Sequence, residues 1–269
     1  MRNQTIYYRI IINKYVCEGV IIMEYVNFGR TGRKVSRIGY GGATAGLKNY
    51  LHEFDPQNID DRRGIIESIE KALELGINYF DIAPGYGNGQ SEEIFGEALE
   101  GVNPKDIFLA TKGPMIKDGW GSVRKSLEDS LKRLKRDYVD LLQIHGSTYS
   151  DEQICYNFLF QHPYETNRPF GSIQEAETQN MGIATMRAPT SGWFQKWIKQ
   201  VNPSNNFDYT PALIQFVLSN PLVDVALIGM RSAERVKQNV DICNDMSGRI
   251  DIEKLCKYMY KGEKNEYIS

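Results

Sequence analysis

Cysteine is scarce in this chain: its 269 residues hold only Cys17, Cys155, Cys243 and Cys256, with no CxxC pair and no His/Cys cluster. Histidine is scarcer, with His52, His145 and His162 the only imidazoles. Neither a disulfide framework nor a zinc site is indicated by that spacing. Long apolar runs are also missing, and nothing approaches the roughly 18 residues of a spanning helix. No sign of charge dominates, because 32 Lys and Arg are interspersed with 34 Asp and Glu for a net charge of −2. That balance leaves no electrostatic footprint for nucleic acid or an anionic membrane. The expected partner is a small molecule, and the expected setting a reduced, soluble, cytoplasmic protein. The glycine-rich turn Gly85 to Gly89 lacks a following Gly-Lys-Ser/Thr, which excludes a P-loop reading.

What is present is alternation. A chain of this length fits one α/β barrel or two small domains, and the regular exchange of short apolar strands with helical periodicity favours the single barrel. The organising stretch is Asn78-Tyr-Phe-Asp-Ile-Ala-Pro-Gly-Tyr-Gly-Asn-Gly-Gln-Ser91. Its apolar run ends at Asp81, a turn carries Tyr86, and Ser91 opens a helix, so both polar groups are expected at a strand's C-terminal mouth. Parallel α/β proteins place their chemistry there. Two more strands end alike, Ile107-Phe-Leu-Ala-Thr-Lys112 and Tyr138-Val-Asp-Leu-Leu-Gln-Ile-His145. Asp81, Tyr86, Lys112 and His145 are therefore expected to converge.

In chain order, residues 24 to 35 read as a hairpin around Arg30-Thr-Gly32, and 36 to 41 as a first barrel strand. An irregular mouth-side loop follows from Ala43 to Asn58. Ile65, Ile66, Ile69, Ala72 and Leu73 mark an outer helix stopped by Gly76, and Ile94, Phe95, Ala98 and Leu99 a second, ended by Gly101. A third carries Val123, Leu127, Leu131 and Leu134. Residues 182 to 186 and 223 to 228 read as later strands, Thr210-Pro211 as a helix start, and 232 to 243 and 251 to 260 as helices. Ser172 and Glu175 form a capping-box pattern. The aromatics Trp193, Phe194 and Trp197 are assigned to packing.

These residues resemble the aldo-keto reductases, whose tetrad of Asp, Tyr, Lys and His lies at the ends of successive barrel strands. All four positions are filled in order, with Gly-Tyr-Gly-x-Gly-x-Ser-Glu spelled out over residues 85–92. Taken singly each tetrad residue has an ordinary explanation, such as a helix cap or a packed ring; jointly, at three strand ends, the functional reading is preferred. The resemblance runs from Met23 nearly to Tyr260. It implies a TIM (β/α)8-type barrel over residues 23–269 with an N-terminal hairpin, residues 1–22 being an extension outside the fold. It also implies reduction of an aldehyde or ketone by a nicotinamide cofactor, or the reverse alcohol oxidation, without a metal. Tyr86 would be the general acid and Lys112 the group that lowers its pKa; Asp81 would support Lys112, and His145 orient the carbonyl.

The segment from Gly229 to Asn239 is similar to the family's adenosine-end site. The implied cofactor contacts are Gly229, Met230, Arg231, Ser232, Arg235, Gln238 and Asn239, with Gln153 at the carboxamide. Arg231 and Arg235 favour NADP(H), with NAD(H) as the alternative. Against the family pattern the barrel is incomplete: Gln153-Ile-Cys-Tyr-Asn157 looks like the sixth strand, so the fourth helix, fifth strand with its Ser-Asn, and fifth helix are missing. Only residues 146 to 152 join it to His145, too few for a parallel crossover. Extended, they span at most about 25 Å, enough to descend through the fifth-strand slot. A non-catalytic nucleotide- or partner-binding remnant is the competing reading.

Overall fold

The computed structural model describes residues 23–50, 53–114, 119–145, 157, 172–252, 254 and 255, with the side chains of residues 172 and 174 excepted. Strands β1 (Tyr25–Asn27) and β2 (Lys34–Ser36) form the expected antiparallel hairpin, with Val26 opposite Val35. Phe28 leaves the hairpin buried and packs edge-on against Tyr79 at 5.4 Å and Phe108 at 5.2 Å. Those two rings open their strands, so the hairpin covers the strands' N-terminal ends.

Among the described residues six parallel strands follow: β3 (Ile38–Gly41), β4 (Tyr79–Asp81), β5 (Phe108–Gly113), β6 (Leu141–Ile144), β7 (Ala184–Thr185) and β8 (Val225–Ile228). Their order across the sheet is β6-β5-β4-β3-β8-β7. Each of β3 to β5 pairs with the next in sequence, while the last strand returns to the first, with β8 between β3 and β7. The result is a curled half-barrel, the incomplete TIM-type architecture that the resemblance implies.

Register decides what faces inward. Asp81 lies opposite Ala110, and Lys112 opposite Gln143. Side chains alternate along a strand, so Tyr79, Asp81, Phe108, Ala110, Lys112 and Gln143 share the inner face. Phe80, Leu109 and Thr111 face the surrounding helices. The burial follows suit: Phe28, Tyr79, Phe108, Ala110 and Val225 form an inner cluster, while Phe80 and Leu109 join the large core under the helices.

The helices are α1 (Ala43–Gly46), α2 (Ile59–Glu74), α3 (Gln90–Ala98), α4 (Trp120–Leu134), α5 (Ser172–Thr178), α6 (Trp193–Val201), α7 (Thr210–Leu218) and α8 (Ala233–Asn244). In α2 the Asn58 side chain accepts from the amides of Asp60 and Asp61, Ile65, Ile69 and Ala72 are buried, and Gly76 follows at φ +86°. Of the three aromatics assigned to packing, Phe194 meets Tyr209 edge-on, whereas Trp193 and Trp197 are each 46 % exposed. The path of residues 146 to 152, Gln153 and the side-chain contacts of a Ser172 cap lie outside the described residues.

Two strands are shorter than their apolar runs, each for the same reason. At β6 the Asp140 carboxylate accepts the Leu109 amide at 2.8 Å and Arg33 at 2.7 Å, so a side chain takes a ladder position. At β7 the Ile183 amide donates to Asp224 at 2.8 Å. Burial raises the Asp224 pKa to about 6. Because the folded value lies above the unfolded one, this carboxyl favours the fold most below pH ~4, and the contribution is lost as pH rises through about 6. Asp224→Asn keeps an acceptor for Ile183 and removes that titration. Urea midpoints should give the wild type, relative to the variant, a loss on the order of 2–3 kcal/mol between pH ~4 and ~7; parallel pH curves would exclude the assignment.

Candidate active site

Beyond β4 the chain turns back on itself. The Tyr86 amide donates to Ala83 O at 3.1 Å, Gly89 N to Pro84 O at 2.8 Å, and Ser91 N to Tyr86 O at 3.2 Å. Gly87, Asn88 and Gly89 all have positive φ, at +69°, +53° and +93°. At Gly87 a Cβ would lie 1.9 Å from Gly46 O, and at Gly46 one would lie 2.2 Å from Tyr86 O. Backbone therefore packs on backbone here, seating the Tyr86 turn on α1. The helix opens at Gln90 rather than Ser91, whose hydroxyl instead donates to Gly42 O at 2.9 Å.

Under this turn lies a buried ion pair. Lys112 is 0 % exposed and Asp81 4 %. Lys112 Nζ donates to Asp81 Oδ2 at 2.6 Å and to Ile82 O at 3.0 Å, and lies 4.9 Å from the centre of the Tyr86 ring. Gln143 Nε2 donates to Asp81 Oδ1 at 3.0 Å. Both carboxylate oxygens are thus engaged, as burial of the charge requires. Gln143 was not singled out by sequence reasoning, although it stands two residues before His145 and so on the same strand face. His145, held by its amide to Gly113 O at 2.8 Å, sets its ring 6.0 Å from that of Tyr86 at 83°. All four residues expected to converge do so.

Lys112 lowers the Tyr86 pKa as expected, but the net shift is upward: burial disfavours the phenolate by more than the ammonium favours it. Lys112 itself is raised, since Asp81 and Tyr86 together outweigh its own desolvation. His145 is lowered, by desolvation first and by Lys112 second. At neutral pH the resting site therefore holds a protonated Tyr86, a charged Lys112 and a neutral imidazole.

At the far end of the sheet, β8 runs through the exposed Gly229 and the buried Met230 into α8. Tyr40 donates its hydroxyl to Met230 O. Ser232 caps α8 by accepting the Arg235 amide at 3.3 Å. Arg235 and Gln238 are exposed on its first turns, Arg235 Nη1 donating to Gln238 Oε1 at 3.2 Å, and Asn239 is buried one turn on. Arg231 is placed differently: Nε donates to Thr44 O at 2.9 Å, Nη2 to Tyr50 O at 2.7 Å, and the guanidinium lies 4.3 Å over the Phe54 ring. It clasps the loop between β3 and α2. Gln153 lies outside the described residues. Beyond β7, Arg187 has φ +63° and its carbonyl accepts from Asn157 at 3.1 Å. Among the described residues no group of three metal-ligating side chains occurs, and no helix is long and apolar enough to cross a membrane.

Comparison with known proteins bears on this geometry. Residues 37–156 match the model of the aldo/keto reductase family. L-galactose dehydrogenase of Arabidopsis thaliana is 39% identical over 129 residues, which cover 46% of this chain and 38% of that protein. Aldo-keto reductase YhdN of Bacillus subtilis is 37% identical over 135 residues, again 46% and 38%. The chain therefore spans well under half the length of these relatives. Among solved structures, aldo-keto reductase AKR11C1 from Bacillus halodurans, in its holo form, superposes with a TM-score of 0.65 at 22% identity, covering 86% of this chain and 93% of that one. An aldo/keto reductase from Klebsiella pneumoniae in complex with NADP and acetate gives 0.65 at 17%, covering 88% and 94%. At such identities these structures speak for the fold.

Proposed function

We propose that this chain, whose residues 37–156 match the aldo/keto reductase family model, reduces aldehydes or ketones with NADPH, or runs the reverse oxidation of the alcohol. The observation that carries this reading is the buried Lys112–Asp81 pair beneath a protonated Tyr86, with His145 across the mouth. Residues at the start of α8, Arg235 among them, would hold NADPH, which when bound would supply the hydride for the carbonyl carbon. Tyr86 gives its phenolic proton to the carbonyl oxygen, which leaves a phenolate. Lys112, 4.9 Å from the ring centre, stabilises that phenolate, and Asp81 keeps the ammonium charged and in place. The raised resting pKa of Tyr86 and the cation beside it thus serve opposite ends of one step: the acid is loaded before transfer, and its conjugate base is stabilised after it. A neutral His145 donates to the carbonyl oxygen and orients it. In the oxidative direction the same groups work in reverse.

The residues around α8 suit a nucleotide phosphate. The helix begins with its Ser232 cap and an exposed Arg235, and Gly229 before it admits Thr44, whose Cγ2 would lie 2.4 Å from a Cβ there. Arg235 would take the 2′-phosphate, with Asn239 at the adenine. Titration by protein fluorescence should give saturable NADPH binding and a melting temperature that rises with cofactor. Arg235→Ala should then weaken NADPH about tenfold or more, from loss of charge-assisted bonds, and NADH by less than about twofold. Equal effects on both cofactors would remove Arg235 from the phosphate. Oxidation of NADPH by a panel of small aldehydes and ketones tests the reaction itself.

One sequence feature favours a second reading, namely that no counterpart of the family's fifth-strand Ser-Asn was found. A nucleotide-binding protein without turnover would bind NADPH saturably and leave every carbonyl on the panel unreduced.

A further inference from the structure

Glu92 ends the Tyr86 turn motif, and the reaction gives its carboxylate no part. It is completely buried, as is Thr111 on the helix-facing side of β5. Thr111 Oγ1 donates to Glu92 Oε1 at 2.7 Å, and Arg133 of α4 donates Nε to Glu92 Oε2 at 2.7 Å, with Nη2 paired to the same oxygen at 2.7 Å. Thr111 immediately precedes Lys112. On the other side, the Arg133 chain runs beneath Gly89, where a Cβ would lie 2.8 Å from Arg133 Cδ, and Gly89 closes the Tyr86 turn through its bond to Pro84 O. Ser91, next to Glu92, donates its amide to Tyr86 O.

We propose that Glu92 is a positioning residue for the reaction proposed above: its carboxylate ties the strand carrying Lys112 to the turn carrying Tyr86 and so sets their separation. Cohesion alone does not call for this arrangement. A buried ion pair suffers desolvation, and apolar side chains of similar volume hold a helix to a sheet at least as well. What the carboxylate adds is direction, because each oxygen is aimed at a different element.

Glu92→Gln retains the volume and an acceptor for Thr111, and Arg133, whose side chain is 27% exposed, has water available for its charge. Thr111→Val removes the other bond without altering any charge, and Thr111→Ser restores it. Single-turnover reduction by the NADPH-loaded enzyme should fall roughly tenfold to a hundredfold in Glu92→Gln and Thr111→Val. It should recover to within about threefold in Thr111→Ser, with NADPH affinity within about twofold throughout. A second readout does not depend on turnover: the tyrosinate titration of each protein minus that of its Tyr86→Phe counterpart isolates Tyr86. The groups acting on Tyr86, namely Lys112, Asp81, Tyr50 and His145, are untouched in Thr111→Val. Any shift there reports displacement, and movement away from Lys112 should raise the titration by about half a unit or more. Variants that melt lower but titrate Tyr86 normally and turn over at the wild-type rate would make Glu92 a brace only, and overturn the proposal. If the wild type reduces no carbonyl, the reading of the reaction fails by itself, and the titration alone decides: a shift upholds the positioning role and an unchanged curve overturns it.

Discussion

Tyr86→Phe is expected to lower carbonyl reduction about a thousandfold, the range lost when a general acid is removed, while leaving the affinity for NADPH unchanged. The reasoning is geometric. The phenyl ring still fills the space between Lys112 and His145, so the buried pair and the turn are undisturbed. Only the proton is gone. Single-turnover rates on cofactor-loaded protein separate this loss from any change in binding; turnover within about tenfold of wild type would give the proton to another group.

The largest effect on stability is expected from Lys112→Met. The substitution leaves Asp81 buried with Gln143 but without its cation. Breaking a buried pair on one side costs about 3–5 kcal/mol, against a total of roughly 5–15 kcal/mol for a folded domain. A fall in melting temperature of roughly 10 °C follows for a chain of this size. Removing the second charge tests the cause: Lys112→Met with Asp81→Asn should regain much of the lost stability and none of the activity. If the double variant is no more stable than the single one, the loss stems from packing rather than from the stranded carboxylate. The two experiments separate what the pair does for the fold from what Lys112 does for the reaction.

The linear order of residues carried much of this site because strand alternation is local. Once β4 and β5 are placed, parity alone turns Asp81 and Lys112 to the same face, and parallel register does the rest. Gln143 obeyed the same parity and was overlooked because an amide carries no titratable signal. Where the strands stop was less legible, since Asp140 and Asp224 replace ladder bonds with side-chain acceptors that come from neighbouring strands. The net direction of the Tyr86 shift is not legible in the sequence for a related reason. A nearby cation can be read from the motif, but the depth of the pocket, which decides how strongly desolvation opposes it, arises only when helices and turn close over the site. Arg231 and Arg235 are four residues apart and alike in sequence, yet one clasps the β3–α2 loop and the other lies exposed. That difference is tertiary.

The seat of the Tyr86 turn on α1 has a consequence for how such a protein can diversify. Gly46 and Gly87 meet main chain to main chain, with no side chain between them to trim or enlarge. Adaptation to a new substrate therefore has no purchase at that junction. Tyr86 keeps its station there, so that change elsewhere around the mouth need not disturb the residue proposed to deliver the proton.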